Sequence, residues 1–328
     1  MSLDRKFDAA DAALARMARG KERELLRAYA ATLNEIRPMI AKAYEVSGGS
    51  YVEMQKYNRL VNLEKNIIKE VAKLTSKSAV TIKGSIAQQF AESYYRTGFA
   101  VETEATARLG FGMLNPKVIE AAIDNPLDRV GFLQRNRDNQ SRLARQLKEQ
   151  LAQGLIRGEA YQDVAARIKE RMDVGAENVL RIVRTENHRA QVKGRLSGLD
   201  QAEDAGVVFV RIWDATLDDA TRETHQDMDG QEANEDGLFD LDGDLVEGPG
   251  LTGDPAEDIN CRCSVRAEIK DYGPEVRRRR LTGEEYDEAV AREAEEAARE
   301  GRDPRPVSKS AIEDYQTYGE WREARIKG

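Results

Sequence analysis

A chain of 328 residues is long enough for about two domains with a sizeable core. Its 40% apolar residues exclude a disordered chain, and 34% charged against 6% aromatic residues favours extended, helix-rich structure with much solvated surface. No run approaches the roughly 18 to 20 apolar residues of a membrane span, and the start, MSLDRKFDAADAALARMARG, lacks a signal-peptide core, so a protein made and kept inside a cell, with no membrane partner, is expected.

The net charge of -8 is unevenly spread. Residues 213–258 hold sixteen Asp and Glu against Arg222 alone, a local charge of -15, which leaves the remainder at +7. That split permits contact with a polyanion outside the acidic segment. The two cysteines, Cys261 and Cys263, are one residue apart, poor geometry for a structural disulfide.

From the N-terminus to about residue 205 apolar residues recur at helical spacing. Leu60, Leu63, Ile67, Val71 and Leu74 form one stripe, and Leu143, Leu147, Leu151 and Leu155 a second; both are expected as helix-bundle core. Gly48-Gly49, Asn115-Pro116 and Asn125-Pro126 mark helix ends. A helix over Tyr161–Met172 is expected to turn at Asp173–Gly175 before another over about Ala176–Ala205, which sets Arg181, Arg184, His188 and Arg195 on one face.

The period then changes. Val207 to Trp213 is β-branched and aromatic and reads as a strand. Asp214 to Asp258 should be turns and loops against a small sheet anchored by Leu238-Phe239, and Cys263 to Ile269 should return as a strand. Past Lys270 come the basic run Arg277, Arg278, Arg279 and Arg280, a helix over about Gly283–Arg299, a linker at Gly301–Pro306, and aromatic anchors Tyr315, Tyr318 and Trp321. The fold expected is mainly α with a small α+β C-terminal module: a helical region over 1–175, an α+β domain over 176–270, and a charged helical tail over 271–328.

Four clusters carry chemistry: Arg184-Thr185-Glu186 on a helix, Trp213-Asp214 at a strand end, Asp218 through Thr221-Arg222 and His225 with Asp229-Gly230 following, and Asn260-Cys261-Arg262-Cys263. In this order they resemble the phage Mu F-like family of minor head proteins, whose members show an Arg-Thr-Glu helix, a Trp after a strand, a Thr-Arg-x-x-His turn, an Asp-Gly and a closing Asn-Cys-Arg-Cys. The resemblance covers about a quarter of the chain by motif and leaves the tail uncovered. It implies a structural virion protein present in few copies near the portal vertex, with host cytoplasm as the place of assembly. It also implies portal and major capsid proteins as partners, in head assembly, DNA packaging or delivery.

Within the clusters, Arg222 and His225 need carboxylate partners if buried, and Glu186, Asp214 and Asp218 are the expected ones, with Arg222 in a bidentate pair locking its loop to helix and strand. His225, Cys261 and Cys263 are zinc-ligand types, with His188 or Asp227 as a fourth. The cysteine spacing is shorter than the usual Cys-x2-4-Cys pair, and one intervening residue is read as sending the thiols to opposite strand faces, so two buried small hydrophobes and no cofactor are expected. Asp240, Asp242, Asp244 and Glu247 do not match a calcium loop, because Gly243 falls at the wrong position and the glutamate arrives too early.

Sequence-independent phosphate contacts with double-stranded DNA are open to the helix face of Arg181 to Arg195 and to the run Arg277 to Arg280, although Arg184 is expected to pair internally. The competing function is a metal-assisted hydrolase or nuclease using His225 and nearby carboxylates. Two histidines in the whole chain, no phosphate-cradling glycine loop and no Gly-x-Ser-x-Gly favour a non-enzymatic protein.

Overall fold

The structure, a computed structural model, describes residues 3–124, 131–269 and 283–300, with 322, 323 and 326. The expected break at Asn125-Pro126, the basic run Arg277 to Arg280, the Gly301–Pro306 linker and the anchors Tyr315, Tyr318 and Trp321 lie outside the described residues. Four long helices form the body: α1 (Leu3–Ser47), α3 (Arg59–Ala105), α5 (Phe132–Arg157) and α6 (Tyr161–Asp204), with short α2 (Tyr51–Gln55) and α4 (Pro116–Asp124) between them. No helix of the described residues is long and apolar enough to cross a membrane.

Both expected stripes are core. Leu60, Leu63, Ile67, Val71 and Leu74 on α3 share one cluster with Leu143, Leu147, Leu151 and Leu155 on α5 and with Val164, Ile168 and Met172 on α6. Burying apolar area at roughly 25 cal/mol per Å² is what holds these helices together, since a lone helix is marginal in water. Gly48 and Gly49 after α1 take positive φ, and Pro116 opens α4.

One expectation fails. Asp173–Gly175 is no turn: the chain runs as a single helix from Tyr161 to Asp204, so the division drawn between residues 175 and 176 falls inside α6. Gly175 serves close packing instead. A Cβ there would stand 3.1 Å from a Leu143 methyl and 3.2 Å from the Tyr29 ring, and the Gly175 carbonyl accepts the Asn139 amide at 3.0 Å.

Beyond α6, β1 (Phe209–Asp214) pairs antiparallel with β4 (Ser264–Ile269), Trp213 opposite Val265. Between them lie α7 (Glu223–Asp227), a hairpin of β2 (Phe239–Leu241) and β3 (Asp244–Val246), and α8 (Pro255–Asp258). The acidic loop is the turn of this hairpin: Asp242 and Gly243 both take positive φ, as a tight two-residue hairpin requires, and Asp240 Oδ1 accepts the Gly243 amide at 2.7 Å. Phe239 is fully buried against Trp213, the anchor expected of Leu238-Phe239. A second core cluster joins Trp213, Phe239, Val246, Cys261 and Val265 to Phe7 of α1, Tyr94 of α3 and Leu196 of α6, so the module shares its core with the long helices. Finally, α9 (Gly283–Glu300) matches the expected tail helix.

Candidate functional site

The motif residues meet where α6 passes beneath the sheet. Thr185 is buried and its Oγ1 accepts the Asn260 amide at 3.3 Å, while Asn260 takes φ +58°, a left-handed conformation that asparagine tolerates well. Asp229 Oδ1 accepts the Ala215 amide at 2.9 Å, and Gly230, at φ +77°, donates its amide to the Trp213 carbonyl at 2.9 Å. These bonds hold the loop to the end of β1.

Arg222 has other partners than those expected. Its Nη2 donates to the Ile259 carbonyl at 2.7 Å and its Nε lies 4.0 Å from Glu257. The three carboxylates proposed for it are taken by nearer arginines: Asp214 by Arg266 at 2.9 Å, Asp218 by Arg262 at 2.6 Å, and Glu186 by Arg135 and, at 3.5 Å, Arg189. The return of the chain beside β1 decides this: Arg262, just before β4, and Arg266, within β4 opposite Ile212, are brought to Asp218 and Asp214 despite lying farther along the chain than Arg222. Arg262 holds the exposed Asp218 carboxyl down to about 2, whereas burial raises Glu186 against the pull of its two arginines.

At the centre stands His225, fully enclosed, with Trp213 edge-on at 5.5 Å between ring centres. Its Nδ1 lies 3.6 Å from Cys261 Sγ and 3.5 Å from Cys263 Sγ, and its Nε2 faces Glu257 Oε2 at 2.9 Å. The two thiols therefore share one side, contrary to the opposite-face expectation. Side chains at i and i+2 of extended chain project the same way, and the residue between them, Arg262, points outward to Asp218. Both cysteines are buried, as expected, and unpaired by disulfide. The neighbouring Cys263 and burial push the Cys261 thiol up, while Cys261 and the His225 ring hold Cys263 down.

The aspartates invoked for a hydrolase are engaged elsewhere, Asp218 and Asp214 in ion pairs with Arg262 and Arg266 and Asp229 with the Ala215 amide. Beside the cluster a cleft of about 1210 Å³ runs between α1, α6 and the module. The basic face of α6 lines it, but α1 supplies counter-charges: Arg184 reaches Glu22 at 2.6 Å, and buried Arg195 pairs with Asp11 and donates to the Val265 carbonyl at 2.9 Å. His188 lines the cleft as well, and burial depresses its pKa to about 4. Sequence reasoning missed Glu257 as a site residue, in an acidic segment where no single glutamate stands out; it singles out Arg262 and Arg195 but does not supply their partners Asp218 and Asp11.

A family model described as Phage Mu protein F like protein matches residues 145–266, the span that holds α6, the sheet and the histidine and cysteine cluster. Minor head protein GP7 of Bacillus phage SPP1 is 31% identical over 267 residues, 80% of this chain and 86% of that protein. A protein of Enterococcus faecalis (strain ATCC 700802 / V583) named NAD(+)--arginine ADP-ribosyltransferase EFV is 31% identical over 198 residues, and the match spans 60% of this chain but 41% of that protein. No solved structure matches. The chain belongs to the phage Mu F-like family of minor head proteins.

Proposed function

We propose that this protein is a non-enzymatic component of a bacteriophage head that docks on the portal and other head proteins and assists head assembly and DNA packaging or delivery. The observation that carries it is the similarity to the SPP1 minor head protein over 86% of that protein's length. The site geometry supports a structural role: Thr185, Asp229, Arg222 and Asn260 each make hydrogen bonds to backbone atoms or to one another, which fixes loops. The placement near the portal vertex and assembly in the host cytoplasm belong to the same reading.

A hydrolase or nuclease would need His225 open to substrate among carboxylates, whereas the ring is enclosed away from Asp214 and Asp218, and its near carboxylate, Glu257, also accepts the Thr224 hydroxyl. The transferase name belongs to a protein of which this chain matches less than half. Co-expression with the portal and major capsid proteins of the same genome, followed by mass analysis of particles made with and without this chain, tests the proposal. Capture at a few copies per particle is the expected result. Absence from particles, together with nuclease or ADP-ribosyl transfer activity of the purified chain, overturns it.

A further inference from the structure

We propose that His225 Nδ1, Cys261 Sγ and Cys263 Sγ bind one zinc ion, with Glu257 orienting the imidazole. The three atoms lie within 4.8 Å of one another on buried residues. In a tetrahedral zinc site, with Zn–S about 2.3 Å and Zn–N about 2.0–2.1 Å, the nitrogen and sulfur ligands stand about 3.5–3.6 Å apart. The observed separations are 3.5 and 3.6 Å.

Nδ1 offers one proton or one lone pair, yet two sulfurs sit at nearly equal distance from it, the spacing that one shared ion between the three atoms gives. The second ring nitrogen faces Glu257 at 2.9 Å, so the carboxylate favours the proton on Nε2 and turns the Nδ1 lone pair toward the sulfurs, the carboxylate–histidine–metal arrangement that orients metal-bound imidazoles. Two thiolates and an imidazole are the soft-to-borderline donor set that selects zinc over calcium or magnesium.

The ligands come from α7 and from the segment between α8 and β4, two stretches that short elements alone hold weakly. One ion would staple them together and so fix the loop-rich part of the module. Both cysteines line the cleft, from which solvent supplies the fourth ligand. The inference is independent of the proposed function, since a metal of this kind would support the fold of a structural protein or an enzyme.

The full-length protein, purified under reductant, stripped with a chelator and reloaded with zinc or cobalt(II), provides the test. The expected result is one zinc per chain by elemental analysis and, with cobalt, a thiolate charge-transfer band accompanied by the visible absorption of a tetrahedral ion. Cys261→Ser and Cys263→Ser should each lose stoichiometric binding, and Glu257→Gln should keep the cobalt spectrum with affinity lowered about 10- to 100-fold. Because the cysteine variants risk misfolding, alkylation of the wild-type protein gives a second readout, in which zinc should slow modification of both thiols. Sub-stoichiometric zinc with no cobalt band, or alkylation at the same rate with and without zinc, overturns the inference. So does a single fast-reacting cysteine in zinc-treated protein, which would mark a thiol–imidazole nucleophile instead.

Discussion

His225 Nε2 and Glu257 Oε2 face each other at 2.9 Å, joining α7 to α8 across the module. The same carboxylate accepts the Thr224 hydroxyl at 3.1 Å, so one glutamate gathers two neighbouring residues of the histidine turn. Removing it in Glu257→Ala should cost about 1–3 kcal/mol, because the enclosed imidazole loses a charged neighbour at ion-pair distance. Thermal melting checks this, and an unchanged midpoint would show that the contact contributes nothing to stability.

Gly194 lets two long helices touch. A Cβ there would collide with the Phe90 carbonyl oxygen on α3 and stand 3.0 Å from Ser93 Cβ, and the Ser93 hydroxyl donates to the Gln191 carbonyl at 2.6 Å across the same seam. Gly194→Ala should therefore destabilise by about 1–3 kcal/mol through overpacking. On α3, by contrast, a Cβ on Gly84 meets nothing within 4 Å, and Gly84→Ala should stabilise by about 0.4–1 kcal/mol. Denaturant unfolding of the two variants should give shifts of opposite sign.

Arg195 is 2% exposed and ties three elements, pairing with Asp11 of α1, donating to Val265 of β4, and lying over the Phe7 ring at 4.8 Å. Arg195→Ala leaves the Val265 carbonyl short of a donor and opens space beside Phe7. A loss of about 2–4 kcal/mol is expected, much larger than for exposed Arg184→Ala, which breaks a surface pair with Glu22 and should cost under about 1 kcal/mol. Equal effects in calorimetry would refute this ranking.

His188 makes stability fall in acid. Its folded pKa is depressed to about 4 from 6.5 chiefly by burial, with Cys263, Asp11, His225 and Arg195 as the surrounding charges. Above pH 6.5 the ring is neutral in both states; between 6.5 and 4 only the unfolded chain takes up the proton, so stability is lost as the pH drops through that window. The total is on the order of 3 kcal/mol. His188→Gln should flatten this part of the melting-temperature profile, and a profile unchanged by the substitution would rule the residue out as its cause.

Local patterning by itself determined much of the protein. Apolar spacing located the α3 and α5 stripes, β-branched residues located β1, and the ordered motifs from Arg184 to Cys263 led to the family, because each of these is a property of neighbouring residues and needs no knowledge of the partner element. Partnership was decided only in three dimensions. Gly175 reads the same in sequence whether it frees a turn or admits Leu143 and Tyr29 to a continuous helix, and here it does the second. Arg222 had three plausible carboxylates, and the return of β4 beside β1 gave two of them to Arg262 and Arg266. His225 and the two cysteines are 36 and 38 residues apart, and their meeting within 3.6 Å follows from the sheet and α8 folding the chain back on itself. Periodicity fixes which face a side chain occupies; which atoms it meets depends on how distant elements pack.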